Sequence, residues 1–215
     1  MMGDSKAYKW QNKMPRLLLA TTNRGKVNEY RRLLKGLPFE LVTPIDEGID
    51  VTVDEKFTTF EENAQLKATL YSSLSHLITL ADDSGLEVDA LDGGPGVRSA
   101  RFAGENASDK DKVEYLLSRM KAVPWKKRTA YFKCVIAIAI PEEKTELCHG
   151  ECHGLISFQP EGNNGFGYDP IFYLPEFDKT MAELPAETKN QISHRSKAAQ
   201  KAYLILKQIA ERAKP

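Results

Sequence analysis

A chain of 215 residues with 30 basic and 30 acidic side chains has zero formal charge and room for one sizeable α/β domain. That balance excludes bulk attraction to nucleic acid or to an anionic membrane, although a ligand site needs only local cations. No apolar run reaches membrane-spanning length, and residues 1–14 carry charges without the apolar stretch of a secretory signal.

Residues 1–14 therefore read as an extension with little structure, and 15–215 as a single domain. The odd count of three cysteines (Cys134, Cys148, Cys152) fits a reducing, cytoplasmic compartment better than a disulfide framework. Residues 16–20 are a short apolar run, predicting a buried strand. Thr21, Thr22, Asn23, Arg24, Gly25 and Lys26 follow as a polar loop opening a helix, in which Val27, Tyr30, Leu33 and Leu34 recur at helical spacing. A second strand is expected over 39–44, then an acidic stretch to Lys56. Thr59 to Glu62 has capping-box spacing, and Phe60, Asn63, Lys67 and Leu70 share one face of the helix that follows. Residues 77–81 predict a buried strand, with Asp82-Asp83-Ser84-Gly85 just past its end. Glycines and Pro95 make 91–104 a loop, and Ser108 caps a helix to Met120. Residues 128–140 and 146–158 read as antiparallel neighbours. A glycine-rich stretch over 162–168, a short strand over 170–173 and a final helix from about Ser193 complete the chain. That last helix turns Ala198, Ala202, Leu206 and Ile209 inward. Parallel-type units followed by antiparallel strands imply an α/β fold on a mixed sheet.

Several stretches could carry chemistry. Backbone N–H groups at the helix start after Asn23 favour an anion, and Lys26 could pair with phosphate. An ordinary Asn-capped helix with a solvated lysine explains the same residues. Two carboxylates at Asp82-Asp83 could hold a hard cation and position a water, or form a polar turn. Lys67 taken by itself reads as a solvated helix lysine, with a phosphate ligand as the alternative, and Glu55 as a further carboxylate in a loop. Gly165-Phe166-Gly167-Tyr168-Asp169 lets backbone approach a ligand while the Phe166 ring stacks on it. Lys189, His194 and Arg195 place three potential cations around a helix N-terminus, an arrangement the helix dipole disfavours unless an anion or electron-rich base is present. Cys148-His149-Gly150-Glu151-Cys152-His153 suggests zinc, but on a strand the two cysteines and the two histidines face opposite sides.

Six blocks in order, from Ala20-Thr-Thr-Asn-Arg-Gly-Lys26 through Thr59–Ala68, Ala81–Leu86, Pro95–Arg101 and Gly165–Pro170 to Lys189–Arg195, carry a resemblance to one family. The sequence resembles the inosine triphosphate pyrophosphatases, the Ham1-like enzymes that act on non-canonical purine nucleoside triphosphates. The resemblance implies an elongated central mixed sheet flanked by helices, two lobes around a deep nucleotide-binding cleft, and a homodimer. It implies Mg²⁺-dependent hydrolysis of ITP, dITP or XTP to the monophosphate and pyrophosphate, which cleans the nucleotide pool. Carried over, Thr21, Thr22, Asn23, Arg24, Gly25 and Lys26 would cradle the triphosphate with Lys67. Asp83 would be the catalytic carboxylate and a metal ligand with Glu55, and Ser84 would touch substrate. Phe166 would stack on the base in a pocket shaped by Gly167, Tyr168 and Asp169, with Lys189, His194 and Arg195 reading its edge. A Maf-like pyrophosphatase of other modified nucleotides and a non-catalytic nucleotide-binding module are the alternatives.

Overall fold

The computed structural model describes residues 14–212, so the expected extension over 1–14 lies outside the described residues except for Met14, which is exposed. Seven strands form one mixed sheet in the order β2-β1-β3-β4-β5-β6-β7. They are β1 (Arg16–Leu19), β2 (Glu40–Val42), β3 (Ile78–Val88), β4 (Thr129–Ala139), β5 (Glu146–Ile156), β6 (Phe172–Leu174) and β7 (Lys179–Thr180). The first three pair in parallel, and every neighbour from β3 onward is antiparallel. Five helices flank the sheet: α1 (Arg24–Leu33), α2 (Phe60–Ser75), α3 (Asp109–Arg119), α4 (Ala186–Ile192) and α5 (His194–Arg212).

Local chemistry sets the helix starts. The Asn23 side chain accepts the Lys26 N–H, the Thr59 hydroxyl accepts the Glu62 N–H, and Ser108 and Asp111 make a reciprocal capping box. Alternation along the strands then sorts side chains between the faces. Leu17, Leu19, Ile78, Leu80, Ile136 and Cys148 pack under α1 and α5 through Tyr30, Leu34, Ala198, Ala202 and Leu206. Leu18, Ala20, Ala81, Val135 and Ala137 pack against Phe60, Ala64, Ala68 and Tyr71 of α2. A third cluster at the far end of the long strands gathers Leu86, Phe132, Ile156 and Phe172 with Val113 and Leu116 of α3. Gly150 lets α5 lie close on β5, since a side chain there would run into the His194 carbonyl and the Ala198 amide.

One expected boundary is wrong. Asp82-Asp83-Ser84-Gly85 is not a turn past a strand but the middle of β3, paired with β4 from Thr79 to Val88. The polar run stays in the sheet because β4 satisfies its backbone and its carboxylates find partners on either face. Missed elements include α4 and β7, only seven and two residues long, and short 3-10 helices such as Gly96–Arg101, all too short to display a period. Cys148 and Cys152 are buried while His149 and His153 are exposed, as the strand alternation predicts.

Candidate active site

β1 pairs with β3 only as far as Leu19 opposite Leu80, whereas β3 continues for eight residues more. A cavity of about 370 Å³ opens beside this continuation, where the chain leaves β1 through Ala20–Asn23 and turns into α1. This is the position beyond the carboxyl end of a parallel strand where open α/β sheets seat ligands. Of the residues singled out from the sequence, Thr21, Thr22, Asn23, Lys26, Glu55, Lys67, Asp83, Ser84, Phe166, Gly167, Tyr168, Asp169, Lys189, His194 and Arg195 all line it. Arg24 is exposed and Gly25 lies beneath the Phe166 ring, and neither lines the cavity.

Asp82 and Asp83 do not act as a pair, because consecutive strand residues point to opposite faces. Asp82 lies 3.0 Å from Lys26 Nζ and 3.5 Å from Arg195 Nε. Burial alone would raise its carboxyl, but Lys26, Arg195 and Lys67 outweigh that and hold it well below the usual carboxylate range. Asp83 faces α2, where its Oδ2 accepts a 3.0 Å bond from Asn63 Nδ2 and its Oδ1 accepts the Ser84 N–H. Burial, reinforced by the charge of Glu55, pushes the Asp83 carboxyl up to about 6 against the pull of Lys67 and Lys26. Lys67, expected to be either free or on phosphate, donates to Glu55 Oε1 and to the Asp82 carbonyl, both at 2.6 Å.

The three cations near the last helix are explained differently from the sequence expectation. Lys189 is held by Asp169 at 2.5 Å and Glu29 at 2.8 Å, and Arg195 by Glu29 at 2.5 Å with a 2.9 Å bond to Ser84 Oγ. Burial opposes the Lys189 charge, but Asp169 and Glu29 outweigh it and raise its pKa. Carboxylates from distant elements, rather than a ligand, therefore balance these charges. His194 is not a cation at all. It is buried against the Phe132 ring at 4.7 Å, and burial reinforced by Arg195 and Lys189 pushes its pKa well below the ordinary value. Phe166 is half-buried, with Lys189 Nζ 5.0 Å and Arg195 Cζ 5.4 Å from its ring centre. Its loop is pinned by backbone N–H bonds, Phe166 to Asp169 at 2.9 Å and Gly167 to Asp109 at 2.7 Å. Tyr168 is buried and donates to the Ser99 carbonyl, so it braces the wall.

Two contributors escaped the sequence reading. Glu29 sits on α1 one turn after Lys26, and its two oxygens tie Lys189 to Arg195. Asn63 is a fully buried amide on the inner face of α2, beside Phe60, Ala64 and Lys67. A buried-face amide was the available signal for Asn63, whereas nothing local distinguishes Glu29 from a solvated helix glutamate.

Fold and site together define an α/β protein whose ligand cavity lies at the end of a central parallel strand. More narrowly, the model of the Ham1 family matches residues 17–204, and the chain belongs to that family. It is 51% identical over 185 residues to a dITP/XTP pyrophosphatase of Geobacter sulfurreducens, covering 86% of this chain and 93% of that one. A dITP/XTP pyrophosphatase of Listeria monocytogenes is 46% identical over 199 residues, 93% of this chain and 98% of the other. Among solved structures, a HAM1 protein from Coxiella burnetii superposes with a TM-score of 0.83 at 38% identity, covering 91% of this chain and all of that one.

Proposed function

We propose that this chain hydrolyses the non-canonical purine nucleoside triphosphates ITP, dITP and XTP to the monophosphate and pyrophosphate, with Mg²⁺ as cofactor. The observation that carries the reading is the cavity itself. Asp83, a carboxylate raised to about 6, shares it with Lys26 and Lys67 on one side and with Phe166, Lys189 and Arg195 on the other. The names of the relatives support the same reaction.

A triphosphate brings roughly four negative charges near neutral pH, so its site needs cations close at hand. Lys26 and the N–H groups at the start of α1 would receive phosphate oxygens, and Thr21 and Asn23 would order that loop. Lys67 would exchange Glu55 for phosphate, which frees the Glu55 carboxylate. Asp83 and Glu55 suit Mg²⁺, being hard oxygen donors that line one cavity, with the Glu55 charge helping to raise the Asp83 carboxyl; the ion, when bound, would supply positive charge against the phosphate oxygens. Among the described residues no group of three or more His, Cys, Asp or Glu is placed to hold a metal ion. Asp83, with a pKa near the working pH, would orient the attacking water and take its proton. Lys26 and Lys67 would then stabilise the charge that builds on departing pyrophosphate.

At the other end Phe166 would stack on the purine, backed by Lys189 and Arg195. Donors from neutral His194, Arg195 and backbone N–H groups would match a 6-oxo purine and leave an adenine amino group facing other donors. We read the working form as a cytoplasmic homodimer, as the family resemblance implies. Among the described residues no helix is long and apolar enough to cross a membrane.

Pyrophosphate release from ITP, XTP, dITP, GTP, ATP and dTTP, each with and without Mg²⁺, tests the proposal. Metal-dependent release that strongly favours ITP, dITP and XTP upholds it. Release spread over other bases points to a Maf-like enzyme, and binding without release points to a nucleotide-binding module.

A further inference from the structure

Asn63 is a primary amide with no exposure, set among Phe60, Ala64, Ala68 and Tyr71 on the buried face of α2. Burying an amide is unfavourable by several kcal/mol unless its groups are paired, and here each of them is. Its Oδ1 accepts the Phe57 N–H at 3.1 Å, while its Nδ2 donates to the Phe57 carbonyl at 3.2 Å and to Asp83 Oδ2 at 3.0 Å. The side chain thus takes both main-chain groups of Phe57, as a strand partner would, and spends its remaining N–H on the Asp83 carboxylate.

Phe57 stands two residues after Glu55 in a segment, 51–57, that belongs to no helix or strand. Besides Asn63, this segment is held by Lys67 Nζ donating to the Glu55 carboxylate at 2.6 Å, by Tyr71 Oη donating to the Val51 carbonyl at 2.6 Å and by Arg101 Nη2 donating to the Glu55 carbonyl at 2.9 Å. The other oxygen of Asp83 accepts the neighbouring Ser84 N–H. Among the described residues, Asn63 is therefore the only side chain from another element that hydrogen-bonds this carboxylate. One amide joins the two carboxylates of the site, one directly and one through its loop.

We infer that Asn63 is a positioning residue that sets the separation of Asp83 and Glu55 and with it their joint affinity for a divalent cation. The inference deepens the function proposed above and rests on it. Asn63 does not line the cavity and bears on it through Asp83 and the segment that carries Glu55. A carboxylate released from its amide is free to change rotamer, and once Lys67 turns from Glu55 to phosphate, a loop without its Phe57 anchor lets Glu55 drift, so the two carboxylates no longer meet one ion.

The test compares wild type with Asn63→Leu, which keeps the bulk and removes the polar groups, and Asn63→Gln, which keeps the amide but shifts it by one methylene. Mn²⁺ binding is measured by electron paramagnetic resonance in the presence of the α,β-imido analogue of ITP. Binding of that analogue without metal is measured by calorimetry, and kcat and KM are taken alongside. The expected result is a loss of about 10- to 100-fold in Mn²⁺ affinity and in kcat at limiting metal. Metal-free analogue affinity and KM should stay within about two-fold, in whichever variant retains a cooperative thermal transition. A role confined to folding would lower the melting temperature and leave Mn²⁺ affinity of the folded protein unchanged, and that result overturns the inference. So does a wild-type protein with no Mn²⁺ affinity. If wild type binds Mn²⁺ in an Asn63-dependent way yet releases no pyrophosphate from ITP, the proposed reaction falls while the positioning role stands.

Discussion

Asp82 and Asp83 are consecutive residues on β3, almost equally buried at 2% and 4% exposure, and their fates are opposite. Asp82 looks toward α1 and α5, where Lys26 and Arg195 stabilise its charge and depress its pKa. Asp83 looks toward α2, where burial and Glu55 act against its charge and Asn63 offers a single neutral donor. Burial by itself therefore does not decide protonation. The charges that the fold brings to each side of the pleat do, and they make one aspartate an internal counter-ion and leave the other available for chemistry.

That contrast predicts opposite responses to the same substitution. Asp83→Asn should lower kcat by about 10²- to 10⁴-fold, the usual worth of a positioned proton acceptor, while the melting temperature stays level or rises. Retained turnover at saturating magnesium would remove Asp83 from the catalytic role. Asp82→Asn should instead destabilise the fold by about 3–5 kcal/mol, because it leaves Lys26 and Arg195 short of a buried counter-charge. Urea denaturation of both variants measures this, and equal losses would dissolve the distinction.

The two carboxylates also differ in the sign of their pH dependence. Folding raises the Asp83 pKa to about 6 from an ordinary value near 4. Its contribution to metal-free stability is therefore fully present below about pH 4 and is lost as pH rises through about 6, a swing on the order of 2–3 kcal/mol. The depressed Asp82 contributes in the reverse sense, with stability present above about pH 4 and lost as pH falls below it. The difference in unfolding free energy between wild type and Asp83→Asn, followed from pH 4 to 7, isolates the first effect; a flat difference would contradict it.

The smallest expected change concerns the other end of the cavity. Phe166→Ala should weaken nucleotide binding by about 1–3 kcal/mol through lost stacking, with kcat at saturating substrate nearly preserved. Unchanged affinity, measured by calorimetry, would mean that the ring serves only as a lid over Lys189 and Arg195.

Much of the architecture was readable from short-range pattern. The apolar run before Thr21, the caps at Asn23, Thr59 and Ser108, and the long β-rich pair over β4 and β5 each declare themselves within a few residues. Asp82 to Gly85 misled because a polar, glycine-ended run usually marks a turn, and only pairing with β4 keeps it extended. The Lys189, His194 and Arg195 cluster misled for a related reason. Its counter-charges, Glu29, Asp82 and Asp169, come from α1, β3 and the segment before β6, and no local window contains them.

Backbone period made the strand–loop–helix frame legible, while the resemblance carried by six ordered blocks pointed to the family and to most of the side chains that meet in the cavity, Arg24 and Gly25 excepted. Which aspartate has its pKa raised, which lysine already has a partner, that burial disfavours the charged form of His194 and that Asn63 braces the acid all depend on contacts that the fold makes, several of them across 12 to more than 100 residues of chain. Electrostatic energies fall off with distance in space and not along the sequence, so these properties came into being only when the sheet closed and brought the charges together.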